Sequence, residues 1–184
     1  FSRYNKRIVI TCFSSNIARI ESIAIAAKKN GRKVALVGRS MKRTIEAALK
    51  NNIISEISNF ITEEEASLIP TENLVVICTG SQGEKRSALY RIAYNSHKHI
   101  HLENEDLVIF SSRDIPGNEK SVNNLKNKTK LPVIVGFGIK TNIQAKKISK
   151  FADGVIVGSS IVEMIQEHII DKISLNNTLK KINK

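Results

Sequence analysis

The chain has 184 residues, a formal net charge of +12, and 41% hydrophobic but only 5% aromatic residues. This length suits one domain, or one domain with a fragment of another, with a core built mainly from Ile, Val, Leu and Ala. No stretch reaches the roughly 18 apolar residues of a membrane span, and the positive charge attracts nucleic acid, nucleotides or phosphorylated metabolites.

Short apolar runs alternate with amphipathic segments along the chain. The elements predicted over the first half are a strand at 7–12, a helix at 16–29 that Gly31 ends, a strand at 33–38, a helix at 41–51 and a small acidic helix in 62–67 with Thr62 as its N-cap. In the second half, strands are predicted at 73–78, 106–112, 131–136 and 154–158. Helices are predicted at 85–95, from the loop with Pro116 and Gly117 to about 128, at 141–150 and at 160–170. The Lys-rich tail at 174–183 is predicted to be weakly helical.

The strands are near-continuous apolar runs, which is typical of strands that are buried on both faces. Their alternation with helices predicts an α/β fold with a mainly parallel sheet. Ligands of such sheets bind at the carboxyl ends of the strands. The loops that follow the strands are therefore where function is expected.

Cys12 and Cys78 each lie in an apolar, strand-like run, and their spacing is not that of a metal site. They are predicted to be buried, reduced thiols, which indicates a cytoplasmic protein. The N-terminal FSRYNKR has neither an initiator Met nor a signal pattern. A chain that begins at Phe1 is therefore expected to be a fragment or a processed piece.

Small polar residues fill the loops after the strands. These loops are 13–16, 38–40, 79–84, 111–120 and 158–160. Small residues let backbone N–H groups approach a ligand, and the following helix N-terminus favours an anion. Arg39 and Arg113 follow strands closely and are candidates for binding phosphate, while Lys85 and Arg86 begin a helix. The alternative is that Gly and Ser serve as turn and cap residues, and that the lysines only solvate helix faces.

Alternating histidines, His97, His99 and His101, would share one face of an extended segment. Such a face can bind a transition metal, but a solvent-facing edge is the preferred interpretation. The familiar hydrolase and nucleotide-binding motifs are absent from the sequence. Glu84 and Glu119 are open to a role as a base or a ligand contact, and Glu119 is more simply a helix cap.

Four ordered motifs carry a family resemblance: TCFSSNIARI, GRKVALVGRSM, CTGSQGEKRSAL and VIFSSRDIPGNEKSV. On these motifs, residues 7–125 resemble the beta-CASP domain of bacterial ribonuclease J. That family consists of metal-dependent ribonucleases in which a metallo-beta-lactamase domain and the beta-CASP domain hold RNA in the cleft between them.

The resemblance implies an RNA-facing set of residues in the loops. By motif, Phe13 would stack on a base, and the backbone of the RNA would meet Ser14, Ser15, Asn16, Arg39, Ser81, Gln82, Ser111 and Ser112. The family usually has Pro after GSQGE, where this chain has Lys85. That departure puts the local turn in question.

The zinc-binding histidine motifs of that family belong to its metallo-beta-lactamase domain, and the later beta-CASP histidine motif does not follow GNEKSV here. The resemblance therefore implies RNA as a partner, no cofactor or metal in this chain, and zinc only in a complete parent protein. It implies no catalytic residue within the chain, so no ribonuclease activity is expected from the chain alone.

From about Lys128 onward, the stretch TKLPVIVGFGIKTNIQAKKISKFADGVIVGSSIVEMI resembles the C-terminal part of the tryptophan synthase alpha chain. That family is a (β/α)8 barrel, and the similarity covers its last two strand–helix units. By motif, a phosphate would be held by Gly136, Phe137, Gly138, Gly158 and Ser159. Nothing here matches the two catalytic carboxylates of that lyase.

Together the resemblances divide the chain into a beta-CASP-like, Rossmann-like segment at 1–127, two β/α units of barrel type at 128–170, and a tail at 171–184. Three interpretations stay open: an RNA-binding piece of a nuclease, a piece of a lyase that binds a phosphorylated small molecule, or a chimera joined near SVNNLKNK. The alternative to all three is a generic phosphate-binding α/β protein. The sequence leaves the oligomeric state and the strand pairing across the junction at 120–132 open.

Overall fold

The computed structural model describes residues 1, 4–54, 60–112, 119–129, 131–136, 139–150 and 152–170. In chain order the elements are β1 (Ile8–Thr11), α1 (Ile17–Lys29), β2 (Lys33–Val37), α2 (Arg39–Lys50), β3 (Phe60–Ile61), α3 (Glu63–Ala66), a 3-10 turn (Thr71–Asn73), β4 (Leu74–Cys78), α4 (Ala88–Ala93), β5 (Leu107–Phe110), α5 (Glu119–Thr129), β6 (Val133–Val135), α6 (Asn142–Ile148), β7 (Gly154–Val155) and α7 (Ser159–Ile170).

The strands form one seven-stranded sheet in the order β3-β2-β4-β1-β5-β6-β7, and every pair is parallel. This confirms the α/β fold class. The six predicted strands are present, each with shorter bounds, and β3 is an addition. With two residues, β3 is too short to stand out as an apolar run.

The two edge strands, β3 and β7, have two residues each in the described part of the chain. Short edge strands offer few unpaired backbone groups to another chain. Strand β6 pairs with β5 in the register Val108↔Val133 and Phe110↔Val135. Strands from both sides of the junction between the two resemblances therefore belong to the same sheet.

Two apolar layers enclose the sheet, because successive side chains of a strand point to opposite faces. On one face, Ile8 and Ile10 of β1 pack with Ile20 and Ile23 of α1. On the other face, Val9 packs in a layer that includes helices α4 and α6 and the strands β5 and β6. Full burial of each such side chain contributes about 1.5–3 kcal/mol. Cys12 and Cys78 are buried, as predicted, and are not joined by a disulfide.

The acidic helix α3 begins at a capping box, which confirms the prediction for Thr62. The Thr62 hydroxyl accepts a hydrogen bond from the Glu65 N–H at 3.1 Å, and the Glu65 carboxylate accepts one from the Thr62 N–H at 2.7 Å. The backbone N–H groups of Thr62 and Glu65, which would otherwise lack partners at the start of the helix, both have acceptors. These hydrogen bonds hold the pKa of Glu65 below its usual value.

Arg7 and Asp106 form a buried ion pair at the amino edge of the sheet. Arg7 Nη2 lies 2.5 Å from Asp106 Oδ2, which also accepts a hydrogen bond from the Glu103 N–H at 2.8 Å. Burial raises the pKa of Asp106 although Arg7 opposes this effect. The pair ties the start of β1 to the start of β5.

None of the helices in the described ranges is both long and apolar enough to cross a membrane.

Candidate functional site

The loops at the carboxyl edge of the sheet lie side by side, because the first residue after each strand continues the hydrogen-bond ladder. Five backbone N–H groups donate in this way across the edge: Thr79 to Val37 at 3.2 Å, Cys12 to Cys78 at 3.3 Å, Ser111 to Thr11 at 2.8 Å, Gly136 to Phe110 at 3.1 Å, and Ile156 to Val135 at 2.9 Å. These five bonds join the carboxyl ends of six strands, β2, β4, β1, β5, β6 and β7, into one continuous edge, which we name the rim.

The direction of the connections between strands changes between β1 and β5 at this rim. The connection after β1 leads to β2, toward the β3 end of the strand order, whereas the connection after β5 leads to β6, toward the β7 end. Helix α1 packs on one face, and α5 packs against α4 on the opposite face. In open parallel sheets, ligands bind at the point where connections diverge in this way. We name the gap between the loop at 12–16 and residues 111–112 the β1–β5 crevice.

The loop at 12–16 borders the crevice with an exposed aromatic ring. Phe13 is 42% exposed, Ser14 is half-buried and Ser15 is exposed. The Asn16 Oδ1 accepts a hydrogen bond from the Arg19 N–H at 3.1 Å, so this side chain caps helix α1. Phe13 therefore presents a surface on which a base can stack, whereas Asn16 already has a structural role.

Ser81, Gln82 and Ser112 are buried and joined to one another. The Gln82 amide donates to the Ser112 hydroxyl at 3.1 Å, and that hydroxyl donates to the Ser81 carbonyl at 3.0 Å. These bonds tie the loop after β4 to the loop after β5. Glu84 belongs to the same turn, since its carboxylate accepts from the Gln82 N–H at 3.1 Å. Contact between this trio and RNA is untested and stays a prediction.

Glycines with left-handed backbone conformation shape two of the loops. Gly80 has φ +117°, and a Cβ there would lie 2.5 Å from Ser87 Oγ. Gly38 has φ +124°, and its Cβ would lie 2.9 Å from Thr79 Oγ1. Both positions require glycine for two reasons, backbone conformation and lack of space. Gly38 also starts helix α2, whose first residue, Arg39, is exposed at the rim.

Arg19 is a cation of the crevice that the sequence predictions did not include. Its Nη1 donates to Ser111 Oγ at 3.1 Å. It also lines a cavity of about 530 Å³ between α1 and the sheet, which we name the trough, with Ile10, Ile109 and Ile156 among its apolar walls. The available signal was its position three residues after the N-cap, which places it in the first turn beside the loop.

Three of the predicted phosphate ligands converge on a second cavity. Gly136, Gly158 and Ser159 line a volume of about 200 Å³ together with Arg19 and Lys140. We name this cavity the glycine pocket. Phe137 and Gly138, which were assigned to the same phosphate, and Arg113 of the neighbouring loop lie outside the described residues.

The two thiols near the rim are not nucleophiles at neutral pH. Burial raises the pKa of Cys12 to about 11 despite the opposing charge of Arg19. Burial also raises the pKa of Cys78, and its neighbours Cys12 and Glu84 add to the rise. Since the thiolate is the reactive form, both side chains are inert apolar fillers of the core.

The expectation of a solvent-facing histidine edge is wrong for His97, which is only 3% exposed. Its Nδ1 accepts hydrogen bonds from the N–H groups of His99 at 3.4 Å and Ile100 at 3.2 Å. Its Nε2 lies 3.5 Å from Glu63 Oε2, and Lys42 Nζ lies 2.7 Å from Glu63 Oε1. Alternation in the sequence did not reveal that this ring folds inward to hold the turn after α4.

Within the described ranges, no group of three or more His, Cys, Asp or Glu side chains is arranged to hold a metal ion. The described residues of the rim present glycine backbone, hydroxyls and cationic side chains together with an exposed aromatic ring, and such groups are suited to binding an anion.

Comparison with known families gives a match to the first part of the chain, which includes the loops after β1, β2, β4 and β5. The family model for the beta-CASP domain of ribonuclease J matches residues 5–129. Ribonuclease J of Sinorhizobium meliloti is 46% identical over 121 residues, which are 66% of this chain and 22% of that protein. Ribonuclease J of Thermus thermophilus is 40% identical over 122 residues, which are 66% of this chain and 21% of that protein.

Ribonuclease J of Mycoplasma genitalium is 35% identical over 149 residues, which are 80% of this chain and 25% of that protein. An alignment of that length necessarily extends beyond residue 129. In each case the chain spans about a fifth to a quarter of the curated relatives that it matches.

Among solved structures, a tryptophan synthase alpha chain from Legionella pneumophila aligns over 91% of this chain and 85% of its own length, at 15% identity and a TM-score of 0.37. At this level of similarity the match supports no conclusion about function.

Proposed function

Because the chain belongs to the ribonuclease J beta-CASP family, we propose that it forms the RNA-binding portion of a metal-dependent, RNA-processing nuclease. The observation that supports this best is the rim, in which the carboxyl ends of six strands adjoin through five ladder hydrogen bonds. Exposed Phe13 supplies a stacking surface, and Arg19 and Arg39 supply positive charge at the same edge of the sheet. Stacking platforms next to cationic groups are how proteins bind single-stranded RNA.

We further propose that catalysis requires parts of the protein beyond this chain. The chain spans only about a fifth to a quarter of its relatives. The described residues at the rim offer glycine backbone, hydroxyls and cations, which are suited to holding a phosphodiester, and the two buried thiols there stay protonated and are not nucleophiles. Zinc would be bound by the complete parent protein, and a cytoplasmic location belongs to the same proposal.

Fluorescence anisotropy with a labelled single-stranded RNA, measured over a series of KCl concentrations, tests the binding proposal. We expect saturable binding whose affinity falls steeply with salt, because cationic side chains displace counterions from phosphate. Binding that is absent at low salt, or that does not depend on salt, would overturn the proposal. Incubation of the same RNA with the chain and zinc tests the second proposal, for which we expect no cleavage.

A second candidate function is the binding of a phosphorylated small molecule. The supporting observation is the glycine pocket, which brings Gly136, Gly158 and Ser159 together with two cations. The same pocket is compatible with a lyase fragment or with a chimera that has no joint function. Gly158→Asp places a carboxylate where the phosphate would lie. Calorimetry with glycerol 3-phosphate should therefore show binding by the unmodified chain and none by this variant.

A further inference from the structure

Arg19 lies between the two cavities at the rim. It lines the trough beside the β1–β5 crevice and also lines the glycine pocket. Ile156 is the other residue that both cavities share. The Arg19 guanidinium already donates to Ser111 Oγ at 3.1 Å, so one cationic group connects the crevice to the pocket.

Lys140 is the second cation of the glycine pocket. Its Nζ lies 3.5 Å from Glu163 Oε1, and more than half of each side chain is exposed. An exposed pair of this kind contributes roughly 0–1 kcal/mol, so it does not prevent Lys140 from binding another anion. Glu163 is the carboxylate that competes with such an anion.

The backbone of the pocket has room for an oxyanion. Among the residues that the structure describes, no heavy atom is found within 4 Å of the position that a Cβ on Gly158 would occupy. The Ser160 hydroxyl donates to the Ile139 carbonyl at 2.7 Å, which attaches the start of α7 to the loop after β6. The cavity volume of about 200 Å³ is several times the roughly 30 Å³ that one water molecule occupies in the liquid.

We propose that the glycine pocket is an additional phosphate subsite of the RNA path, which Arg19 joins to the β1–β5 crevice. This inference rests on the proposed RNA binding and adds Lys140 and Ser159, which lie after residues 5–129 that the family model matches. A phosphodiester chain carries phosphates at regular intervals, so adjoining anion sites that share a cation suit it better than they suit one isolated ion.

The salt dependence of RNA binding tests this subsite. Lys140→Gln should weaken binding and reduce the slope of log K against log salt by about 0.7, the value for one phosphate contact on a single strand. Lys29→Gln is the matched control, because this exposed lysine ends α1 at the opposite edge of the sheet. It should leave both the slope and the affinity unchanged.

Glu163→Gln should have the opposite effect and tighten RNA binding about two- to fivefold at low salt, since it removes the competing carboxylate. Its control is Glu46→Gln on the exposed surface of α2, which should not change the affinity. Thermal melting of every variant checks that the fold is retained.

The outcomes separate this inference from the proposed function. If RNA binds but the Lys140 variant keeps the wild-type slope and affinity, the subsite is refuted and the proposed function stands. If the unmodified chain binds no RNA, both are refuted as stated. Titration with inorganic phosphate, followed through the amide resonances of Gly158 and Ser159, then shows whether the pocket binds phosphate alone.

Discussion

The guanidinium of Arg19 and the hydroxyl of Ser111 meet at 3.1 Å across the crevice between β1 and β5, although 92 residues separate them in the chain. Ser111 is in turn held by the hydrogen bond from its N–H to the Thr11 carbonyl at 2.8 Å. Ser111 thus orients the Arg19 guanidinium between β1 and β5, where the connections to the next strands run in opposite directions along the sheet.

Replacement of Ser111 by Ala should lower RNA affinity about three- to tenfold, because hydrogen bonds to charged groups contribute roughly 1.5–3 kcal/mol and only part of this orients Arg19. Anisotropy with single-stranded RNA measures the effect. Ser67→Ala, which removes an exposed hydroxyl that bonds only to the Glu64 carbonyl, is the control. An equal loss in both variants would refute a positioning role for Ser111.

Phe13→Ala should weaken binding of single-stranded RNA by roughly 1–3 kcal/mol, the usual contribution of one base stacked on an aromatic ring. The ring is 42% exposed, so its removal should hardly change the melting temperature. Leu68→Ala removes a more exposed apolar side chain in the connection that leads to the amino end of β4, and it should leave affinity unchanged. Unaltered binding by the Phe13 variant would rule out stacking at this position.

Ser112→Ala should destabilise the fold by about 1–3 kcal/mol, because the buried Gln82 amide loses an acceptor. For a chain of this size, that corresponds to a fall in Tm of roughly 2–12 °C. Differential scanning calorimetry measures it, with Ser96→Ala at an exposed turn as the control. A Tm within one degree of the wild type would show that the network does not hold the two loops together.

Gly80→Ala should cost about 2–4 kcal/mol, since the added methyl group would meet Ser87 Oγ at 2.5 Å and the backbone has φ +117°. Gly31→Ala separates the two causes, because Gly31 also has a positive φ, +67°, but nothing lies within 4 Å of its Cβ position. Urea unfolding should show a loss of only about 1 kcal/mol for the Gly31 variant. Equal losses would mean that the steric contact is relieved.

Stability should decrease below about pH 6.5 in part because of His97. Burial lowers the pKa of His97, while nearby Glu63 opposes this and Arg91, His99 and His101 add to it. The unfolded chain then binds more protons than the folded one as pH falls through the unfolded pKa of about 6.5 toward the lower folded value. The stabilising contribution of His97 is present above about pH 6.5 and is lost as the pH falls below that value. The slope of the free energy of unfolding from this group is at most about 1.4 kcal/mol per pH unit.

Urea unfolding of the wild type and of His97→Gln, measured from pH 5 to pH 8, checks this sign. The variant should show a flatter dependence over the acidic part of the range. A wild-type stability that rises on acidification toward pH 5 would contradict the assignment of a neutral, buried imidazole.

Local features of the fold could be predicted because they depend on neighbouring residues. The N-cap role of Thr62 could be predicted from a Thr followed by three glutamates, and burial of Cys12 and Cys78 followed from the apolar runs around them. The two-residue strand β3 could not be predicted, because its pairing with Val34 and Ala35 depends on a partner strand more than twenty residues away.

The candidate site was predictable in its residue types but not in the roles of those residues. The motif GSQGE indicated a small, polar loop, but only packing shows that Gln82 points inward to Ser112 while Phe13 stays at the surface. Arg19 was missed because one arginine in an amphipathic helix looks like a solvated residue until the loop after β5 lies beside it.

By itself, the sequence determined that strands and helices alternate, that the sheet is parallel and buried on both faces, and that polar loops follow the strands. These properties depend on local periodicity and composition. Only the tertiary structure decided the strand order, the continuity of β5 with β6, and the meeting of Arg19, Ser111, Gly136 and Lys140 at one edge. The reason is that hydrogen-bond ladders between strands connect residues whose separation in the chain leaves no trace in local patterns.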